Sequence, residues 1–549
     1  MSDYDAIVVG TGAGGGISAC VLAESGFSVL LVERGELLSY GDVGRDHLRN
    51  QRLSVYGHNA GPGPGNPRTT RNSQGELLTF MPWQGGYHAN AACVGSGTRV
   101  YGAQAWRFVP EDFRMASIYG VPQGSSLADW PIEYLDLEPY YTQAEWEVGV
   151  CGDEYANAHG ASRSKGYPMP PMRQTVQYST LKSGADKLGW NTAPVPLLIN
   201  SKEYGGRAAC AECQHCVGFA CPVDAKNGSA NTVIPRALAT GKCELRCATL
   251  AKRLVCDENG QVIGVELATE TNGEITTQVV YGRKIIVSCG AIESARLLLN
   301  SRSARNPAGV GNHHDLVGRN LQGHYYPGAM GVMPYDVYDG IGPGVVISTS
   351  RFNHGNKGII GGGMIANEFI MTPITFWHRA LPPHIPRWGQ ANKDWMRENY
   401  RRTIHITGPV QEIPSRDARV TVNPYVCDKY GVPVAHLSGS THEETVRTSA
   451  FMWERCVEWL KASGAVTVWG EAPSGAWLSG GQHQAGTCRM GNSPSQSVTD
   501  RWGRVHDQAN LYILDSSLHV TNGGYNPVLT IMALAFRGAE KVVSELNGH

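Results

Sequence analysis

Val8-Val9-Gly10-Thr11-Gly12-Ala13-Gly14-Gly15 is the stretch that decides the fold of this chain. It follows the β-branched run Ala6 to Val9, typical of a buried parallel strand, and precedes a helical pattern from Ile17 to Ser25. Within it, Gly10, Gly12 and Gly15 have the spacing G-x-G-x-x-G. In this spacing the first glycine allows a tight turn, the second lets backbone approach a pyrophosphate, and the third lets helix pack on strand.

The next predicted strand runs from Ser28 to Glu33 and completes a βαβ unit of dinucleotide-binding size. Glu33 ends this strand, where a carboxylate accepts hydrogen bonds from a ribose diol and disfavours a 2′-phosphate. The helix N-terminus offers its N–H groups to the phosphates. The spacing alone does not separate FAD from NAD, and a Gly-rich turn without a ligand is the alternative interpretation.

Length and composition describe a globular protein of two or three domains, since 549 residues exceed one simple core. The 47 basic residues nearly cancel the 48 acidic ones and form no basic stripe, so we expect neither nucleic acid nor an anionic membrane as partner. No apolar run is long enough to span a bilayer. The N-terminus lacks a signal-peptide pattern, so we expect a cytoplasmic protein, unless a partner subunit carries it out.

Later segments predict that the nucleotide-binding domain is interrupted. A second strand–turn–helix runs from Lys284 to Leu299. Short strand-like runs separated by Pro and Gly follow, at 344–348, 402–410, 418–422 and 432–437, and favour an antiparallel sheet. A helix is predicted to begin at the capping pattern Thr441-His442-Glu443-Glu444 and to end at Gly464. Its predicted apolar face comprises Val446, Ala450, Trp453, Val457 and Leu460.

The fold class is therefore mixed α/β: a Rossmann-like nucleotide-binding domain with an inserted, mainly antiparallel-sheet substrate domain. We predict the nucleotide domain in three parts, 1–160, 205–325 and 481–549, with an irregular excursion at 35–80. We predict a substrate-side segment at 161–204 and the substrate-binding domain at 326–480.

The C-terminal part contains the second informative pattern, Gln482-His483-Gln484-Ala485-Gly486-Thr487-Cys488-Arg489-Met490-Gly491, followed by Asn526-Pro527 and the apolar run from Val528 to Phe536. Gly95-Ser96-Gly97-Thr98, Gly290 to Leu298, Val317 to Leu321 and Asp515-Ser516-Ser517 lie between or beside these patterns. Together with the Gly-rich start, they resemble the glucose-methanol-choline (GMC) family of flavin oxidoreductases, in family order and over nearly the whole chain.

The resemblance implies FAD as cofactor and assigns several further residues to its site. Gly95, Ser96 and Gly97 would lie against the flavin, and Asp515 would lie near the pyrophosphate. Relatives with covalently attached FAD have a His where this chain has Val100, so we expect FAD to be bound non-covalently.

Alcohol oxidation needs a base, because a hydride leaves carbon easily only if the hydroxyl proton leaves too. The resemblance assigns this role to His483, with Asn526 orienting the alcohol oxygen. Neutral histidine near its ordinary pKa suits the task. Pro527 and Val528 open a helix whose positive end would face the flavin. His519 is a possible supporting substrate contact.

Four cysteines form a separate cluster: Cys210, Cys213, Cys216 and Cys221, spaced C-x2-C-x2-C-x4-C-P. The spacing nearly matches that of bacterial ferredoxins. Four thiolates suit zinc as well as iron, and a disulfide staple or free thiols remain alternatives. The chain also resembles the catalytic subunits of bacterial FAD-dependent sugar dehydrogenases, which hold an iron–sulfur cluster at this place. That resemblance would add an electron-acceptor protein or small subunit as partner.

The sequence therefore predicts FAD-dependent oxidation of a CH–OH group of a sugar, glycoside or related cyclic polyol to the carbonyl. One alternative is an oxygen-using oxidase of an amino sugar or secondary metabolite. Another is a non-redox lyase with the same fold. The sequence does not name the substrate or the oligomeric state.

Overall fold

The structure is a computed structural model that describes residues 2–44, 46, 60–84, 87–88, 90–156, 161–369, 371–479 and 481–549. Part of the predicted 35–80 excursion, residues 157–160 near one predicted domain boundary and Gly480 at another lie outside these described residues. Among the described helices, none has a stretch that is both apolar and long enough to cross a membrane.

The strands of the described residues, in chain order, are β1 (Tyr4–Val9), β2 (Val29–Val32), β3 (Arg68–Arg71), β4 (Leu77–Phe80), β5 (Cys243–Arg246), β6 (Thr249–Cys256), β7 (Val262–Thr271), β8 (Glu274–Val287), β9 (Gly328–Val332), β10 (Ser348–Thr349), β11 (Ile365–Asn367), β12 (Thr403–Thr407), β13 (Arg419–Cys427), β14 (Pro433–Ser438), β15 (Thr467–Trp469) and β16 (Leu511–Ile513).

The α-helices are α1 (Ala13–Glu24), α2 (Tyr40–Val43), α3 (Met115–Tyr119), α4 (Tyr134–Ala144), α5 (Val176–Lys187), α6 (Val233–Ala239), α7 (Ala291–Asn300), α8 (Pro373–Arg379), α9 (Gln390–Asn399), α10 (Glu443–Ala462) and α11 (Val528–Leu546).

The first sheet confirms the predicted Rossmann-like core. Its parallel strands lie in the order β5-β2-β1-β8-β16, and their buried β-branched and leucine side chains explain the continuous apolar runs in the sequence. The long strand β8 takes part in two kinds of pairing. Its second half pairs parallel with β1 and β16, and its first half pairs antiparallel with β7, which in turn pairs with β6. Helix α1 packs on α11, so the two ends of the chain form one layer.

The second sheet has the order β10-β11-β12-β9-β15 and is antiparallel, as predicted for the inserted region. Ile404 and Ile406 of β12 belong to the apolar core that includes Trp459 of α10. The opposite face carries Thr403, His405 and Thr407, since side chains alternate along a strand. One face of this sheet is thus core, and the other is polar.

A third sheet corrects two sequence predictions. Residues 68–80, predicted to be irregular, form the hairpin β3–β4, and β3 pairs with β14. Strands β13 and β14 were predicted within the substrate sheet, but they form this separate four-stranded sheet. The alternation of side chains along a segment indicates a strand but does not show which other strand it pairs with. Pairing between segments that are distant in the sequence could therefore not be predicted. The domain boundaries themselves stay a prediction.

Helix α10 begins and ends as predicted, but its buried face is different. Its N-cap is His442, which accepts a hydrogen bond from the Glu444 N–H, and Gly464 follows the last turn with a left-handed φ of 96°. Apart from Leu460, the buried positions are Thr445, Thr448, Ser449, Met452, Cys456 and Trp459. Thr445 is buried although it is polar, because its hydroxyl accepts a hydrogen bond from the Ile413 N–H.

Three glycines allow backbone to meet backbone around the first turn. A Cβ on Gly10 would lie 2.3 Å from the Ser288 oxygen, and one on Gly15 would lie 1.9 Å from the Gly10 oxygen. Gly14 was not assigned a role from the sequence, yet its Cβ would lie 1.8 Å from the Leu514 oxygen. Helix α1 therefore sits directly on the end of β16.

We expect Gly14→Ala to destabilise the protein by at least about 1–3 kcal/mol, the usual cost of overpacking, because a backbone carbonyl must move. The measurement is the thermal midpoint together with the flavin content of the purified protein.

Gly63→Ala is the matched control, since a Cβ there meets no atom within 4 Å. Equal thermal midpoints and flavin contents for the two variants would contradict the close approach of α1 to Leu514.

Candidate active site

A cleft of about 670 Å³ opens at the carboxyl ends of β1 and β2. Gly10, Gly12, Glu33 and Ser96 line one part of it, and residues 249–252 line another. Gly12 lies at the N-terminus of α1, where backbone N–H groups and the helix dipole favour an anion. The cleft therefore has the position and the backbone donors that a dinucleotide requires.

Glu33 is buried at the base of this cleft, and burial raises its pKa. One carboxylate oxygen accepts hydrogen bonds from Thr11, at 3.2 Å from the N–H and 2.6 Å from the hydroxyl. The other oxygen accepts from the Gly35 N–H at 3.0 Å. These contacts hold the carboxylate in place, whereas its predicted contact with a ribose stays a prediction.

Three arginines surround Glu293 at the cleft wall, and sequence reasoning missed them. Glu293 lies 2.8 Å from Arg68, 3.2 Å from Arg296 and 3.3 Å from Arg34. These guanidinium groups hold the Glu293 pKa below its usual range despite burial. Arg296 lies three residues after Glu293 in α7. Arg34 and Arg68 come from the end of β2 and from β3, so no spacing within α7 could have revealed those two.

The predicted flavin-facing segment lies against the first turn. The Gly95 N–H donates to the Thr11 hydroxyl at 3.1 Å, and a Cβ on Gly12 would lie 3.4 Å from the Ser96 Cβ. A Cβ on Gly97 would meet open space. Val100, which replaces the histidine of covalent flavoproteins, accepts a backbone hydrogen bond from Gly218. The structure thus brings segments 10–15 and 95–97 together.

Asp515 follows β16 and is buried beside the same turn. Its carboxylate accepts from the Gly290 N–H at 2.9 Å, from the Ser294 hydroxyl at 2.5 Å and from the Ser517 N–H at 2.8 Å. It thereby links the start of α7 to the segment that leads to α11. Its proximity to a pyrophosphate stays a prediction.

His483 is held by a hydrogen-bond chain that the sequence did not indicate. His324 Nε2 lies 3.1 Å from the Asn522 oxygen and 2.9 Å from the Gly523 oxygen, so this nitrogen must carry the proton. His324 Nδ1 is then an acceptor, because burial lowers the pKa of His324 to about 4 and keeps it neutral. It lies 3.0 Å from His483 Nδ1.

The hydrogen bonds of His324 fix the tautomer of His483. Since His324 Nδ1 accepts, His483 Nδ1 donates, and His483 Nε2 is the nitrogen with the basic lone pair. The Tyr326 hydroxyl oxygen lies 2.8 Å from the same Nδ1. His324 and Tyr326 are thus two functional residues that sequence reasoning missed, although both directly follow the quoted segment Val317 to Leu321.

The backbone at His483 is strained. Its φ is 73°, in the left-handed region that a non-glycine residue rarely adopts, at a cost of about 1–3 kcal/mol. Asn522 Nδ2 donates to the His483 oxygen at 2.8 Å, and Gln322 and Ala485 exchange backbone hydrogen bonds. These contacts offset the strain and fix the loop, as at many functional sites.

Asn526 lies immediately before α11, which begins at Val528 with Pro527 as its N-cap. Its Oδ1 is buried, and no described residue donates a hydrogen bond to it. Asn522, which binds the His483 carbonyl, lies one turn earlier. The structure therefore brings the His483 loop to the segment that precedes α11, whereas the pairing of His483 with Asn526 stays a prediction.

Further buried polar atoms surround this place. Burial raises the pKa of Glu412 to about 8, and one of its oxygens accepts from the Gly323 N–H at 2.9 Å. Asn353 lies against Gly524, and neither its Oδ1 nor its Nδ2 has a hydrogen-bond partner among the described residues. Unsatisfied buried groups are rare in proteins and indicate a place for a polar ligand or water.

His519, a possible substrate contact from the sequence, lies inside the protein, and that contact stays a prediction. It is fully buried, its ring lies 5.4 Å from the Trp130 ring, and Nδ1 lies 2.9 Å from Asn522 Oδ1. Its position orients Asn522, which in turn holds the His483 carbonyl. Burial lowers the pKa of His519 to about 4.

The four clustered cysteines lie in one loop, and all fourteen cysteines of the chain are free thiols. Burial raises the Cys210 pKa to about 11 and the Cys216 pKa to about 12, and neighbouring thiols of the loop contribute. Lys226 Nζ holds the loop through the carbonyls of Cys216 and Phe219, at 2.5 and 2.7 Å. Among the described residues no three His, Cys, Asp or Glu side chains form a group arranged to bind a metal.

Comparison with known proteins matches the two models of the family described as GMC oxidoreductase, at residues 132–326 and 414–535. The 6'''-hydroxyparomomycin C oxidase of Streptomyces lividus and the paromamine 6'-oxidase of Streptomyces fradiae are each 31% identical to this chain. Each match covers 99% of this chain and 92% of the relative. The fructose dehydrogenase large subunit of Gluconobacter japonicus is 26% identical, covering 99% and 98%.

Solved structures agree on the fold. Pyridoxine 4-oxidase from Mesorbium loti aligns with a TM-score of 0.64 at 16% identity, covering 98% of this chain and 99% of that one. Formate oxidase aligns with a TM-score of 0.68 at 14% identity, covering 99% and 98%. The chain therefore belongs to the GMC oxidoreductase family, the flavin-dependent enzymes that oxidise CH–OH groups.

Proposed function

We propose that this enzyme oxidises a CH–OH group of a sugar, glycoside or related cyclic polyol to the carbonyl, with non-covalent FAD and with His483 as the base. The hydrogen-bond chain from two backbone carbonyls through His324 to His483 carries this proposal. That chain leaves Nε2 of His483 as the basic nitrogen, which is the protonation state that alcohol oxidation requires.

The residues around the cleft fit FAD. Gly12 lies at the N-terminus of α1, where a Cβ would meet only the Ser96 side chain within 4 Å, so the backbone there can approach a phosphate. The cleft lies at the carboxyl ends of parallel strands, where dinucleotides bind in folds of this kind. Bound there, FAD supplies the acceptor for the hydride. Asp515, Gly95, Ser96 and Gly97 are the further residues that we propose to hold it.

In the proposed mechanism, His483 Nε2 removes the hydroxyl proton and Asn526 orients the alcohol oxygen. Since the hydroxyl proton goes to His483, the amide of Asn526 would donate to the alcohol oxygen through Nδ2, and its buried Oδ1 is available for a second hydroxyl of the ligand. The imidazolium that forms keeps its Nδ1–H on His324, whose own proton stays on the two carbonyls. Pro527 and Val528 begin α11, whose positive end favours negative charge developing nearby.

The relatives support a sugar-like substrate. Two are named as oxidases of aminoglycoside compounds and one as a fructose dehydrogenase subunit. An oxygen-using oxidase of an amino sugar is therefore the second candidate, and it differs only in the acceptor that reoxidises the reduced flavin. A lyase remains the non-redox alternative, and anaerobic mixing with substrate separates it, because only oxidation bleaches the yellow flavin.

We further propose the sequence-derived division into a nucleotide domain (1–160, 205–325 and 481–549) and a substrate domain (326–480). The antiparallel sheet β9–β12 supports the latter. An electron-acceptor subunit and a cytoplasmic location stay predictions. The Cys loop has the donors for an iron–sulfur cluster or zinc, and no step of the oxidation is assigned to it.

We expect His483→Ala to lower the rate of flavin reduction by a substrate sugar by about 10²–10⁴-fold with FAD retained, because the alcohol loses its base. Asn526→Ala should lower it as well. Stopped-flow absorbance under anaerobic conditions measures this rate. His313→Ala, at an exposed histidine, is the control. A rate for His483→Ala equal to that of the control would refute the assignment.

We expect His324→Gln to lower kcat by about 10-fold or more with a smaller effect on KM, since an amide replaces the imidazole nitrogen that accepts from His483 Nδ1 and holds that ring in place. The variant should also resist acid better. His324 has a folded pKa of about 4 against 6.5 when unfolded, so the unfolded state binds a proton between these values. Stability therefore falls as pH falls from 6.5 to 4, by up to about 3 kcal/mol.

Urea unfolding of both proteins at pH 7 and pH 4.5 measures this dependence. His313→Gln, at the exposed histidine, supplies the comparison. If His324→Gln loses as much stability on acidification as that control, then His324 is not the buried neutral imidazole that the mechanism needs.

If the Cys loop holds an iron–sulfur cluster, the yellow protein contains iron and acid-labile sulfide, and Cys216→Ser loses both while sugar still bleaches the flavin. Elemental analysis and a sulfide assay test this, with the exposed Cys427→Ser as control. Zinc without sulfide would make the loop a structural staple. Absence of both iron and zinc would show that the loop does not carry electrons away from the flavin, and would favour direct reaction of the reduced flavin with oxygen.

A further inference from the structure

A second cavity, of about 420 Å³, lies against the antiparallel sheet and away from the nucleotide cleft. Its walls are formed by β12, by the segment around Glu368 and by α8 with the residues that follow α9. The polar residues in its lining are Gln177, Tyr338, Glu368, Tyr400, Thr403 and His405. Phe369, Met371, Phe376 and Ala380 complete the wall. None of these residues takes part in the proposed proton or hydride transfer.

The register of the sheet connects this cavity to His483. Tyr326, whose hydroxyl contacts His483, lies two residues before β9 begins at Gly328. In the β9–β12 pair, Gly328 lies opposite Thr407 and Met330 lies opposite His405. The bridge between Tyr325 and Val410 continues the β9–β12 register beyond β9, so alternation puts positions 326, 328 and 330 on one face, which directly opposite residues share. His405 and Tyr326 are therefore on the same side of the sheet.

The spacing along that face is about 13 Å, from four residues at about 3.3 Å each. A single sugar ring held at His483 would not reach Glu368 and His405, whereas a molecule of two or more linked rings would. The opposite face offers no such path, because Ile404 and Ile406 pack in the core with α10.

The charge of the cavity selects the kind of molecule. Glu368 is the one acidic side chain in the lining, and the lining contains no Lys or Arg. Three arginines adjoin lining residues in the sequence: Arg379 precedes Ala380, and Arg401 and Arg402, next to Tyr400 and Thr403, lie 3.2 and 3.5 Å from Asp336. An ammonium group would meet the Glu368 carboxylate, which accepts from the Phe369 N–H at 3.0 Å, in a partly enclosed place where the attraction exceeds its value in water.

The remaining polar groups suit a hydroxylated ring that carries such an amine. His405 Nδ1 is buried, and no described residue donates to it or accepts from it. The aromatic rings of Phe376 and Tyr400 stand edge to face, with centroids 5.1 Å apart. Aromatic faces bind both cations and the apolar faces of sugar rings.

We propose that this cavity is a subsite for the distal, amine-bearing ring of an amino glycoside of two or more rings, with Glu368 binding the ammonium group and His405 binding a hydroxyl. The inference rests on the proposed function, since it places the oxidised ring of the same molecule at His483. It narrows the substrate from sugars in general to cationic oligosaccharide-like compounds.

The test compares paromamine with its fully N-acetylated derivative, which keeps the rings but loses the positive charges. Binding of each to the FAD-loaded enzyme is measured by calorimetry. We expect the wild type to prefer the free amine by at least about 10-fold, and Glu368→Gln to bring this preference close to one. Glu398→Gln, the same change at an exposed side chain of α9 (68% exposed), should retain it.

The same titration with His483→Ala separates the two proposals. We expect the preference for the amine to persist in this variant, because binding at Glu368 does not need the base. Undiminished flavin bleaching by His483→Ala, with an intact amine preference, would sink the proposed function alone. Equal binding of both ligands by the wild type, no binding of paromamine, or an unchanged preference in Glu368→Gln would overturn the subsite.

Discussion

The structure depends on one close approach, that of helix α1 to the end of β16. Because Gly14 has no side chain, α1 sits against the Leu514 carbonyl, and Asp515 follows within the same turn. The segment after Asp515 contains His519 and Asn522, whose side chains form the hydrogen bonds that hold the His483 loop. A backbone contact at the nucleotide end therefore sets the position of the candidate catalytic end. Any side chain at Gly14 would separate the two.

Histidine chemistry at the candidate site follows from backbone acceptors rather than from a charged neighbour. The carbonyls of Asn522 and Gly523 both face His324 Nε2, and burial keeps that ring neutral. The protonation of His483 is thus decided by two peptide oxygens, which do not titrate. A carboxylate in the same place would raise the imidazole pKa and make the base dependent on pH. The strained φ of His483 indicates that this arrangement is imposed by its surroundings.

Much of the fold and part of the site could be predicted because they are local. The strand, glycine turn and helix from β1 to α1 occupy consecutive residues, and so do Asn526 and the start of α11. Failures came where a residue's role depends on a distant segment. The hairpin at 68–80 acquires its sheet from β14, and the arginines around Glu293 come from separate elements. Helix α10 was predicted with the wrong face, because Thr445 is buried by a hydrogen bond to residue 413.

The sequence by itself determined the nucleotide-binding topology, the family and the two residues proposed for catalysis, since glycine spacing and strand periodicity act through neighbouring residues. Only the tertiary structure decided which nitrogen of His483 is basic and which residues extend the site. His324 lies 159 positions from His483, and Glu368 shares its cavity with Gln177. Contacts of this kind are made by chain segments that meet only after folding, so their side chains have no common spacing in the sequence.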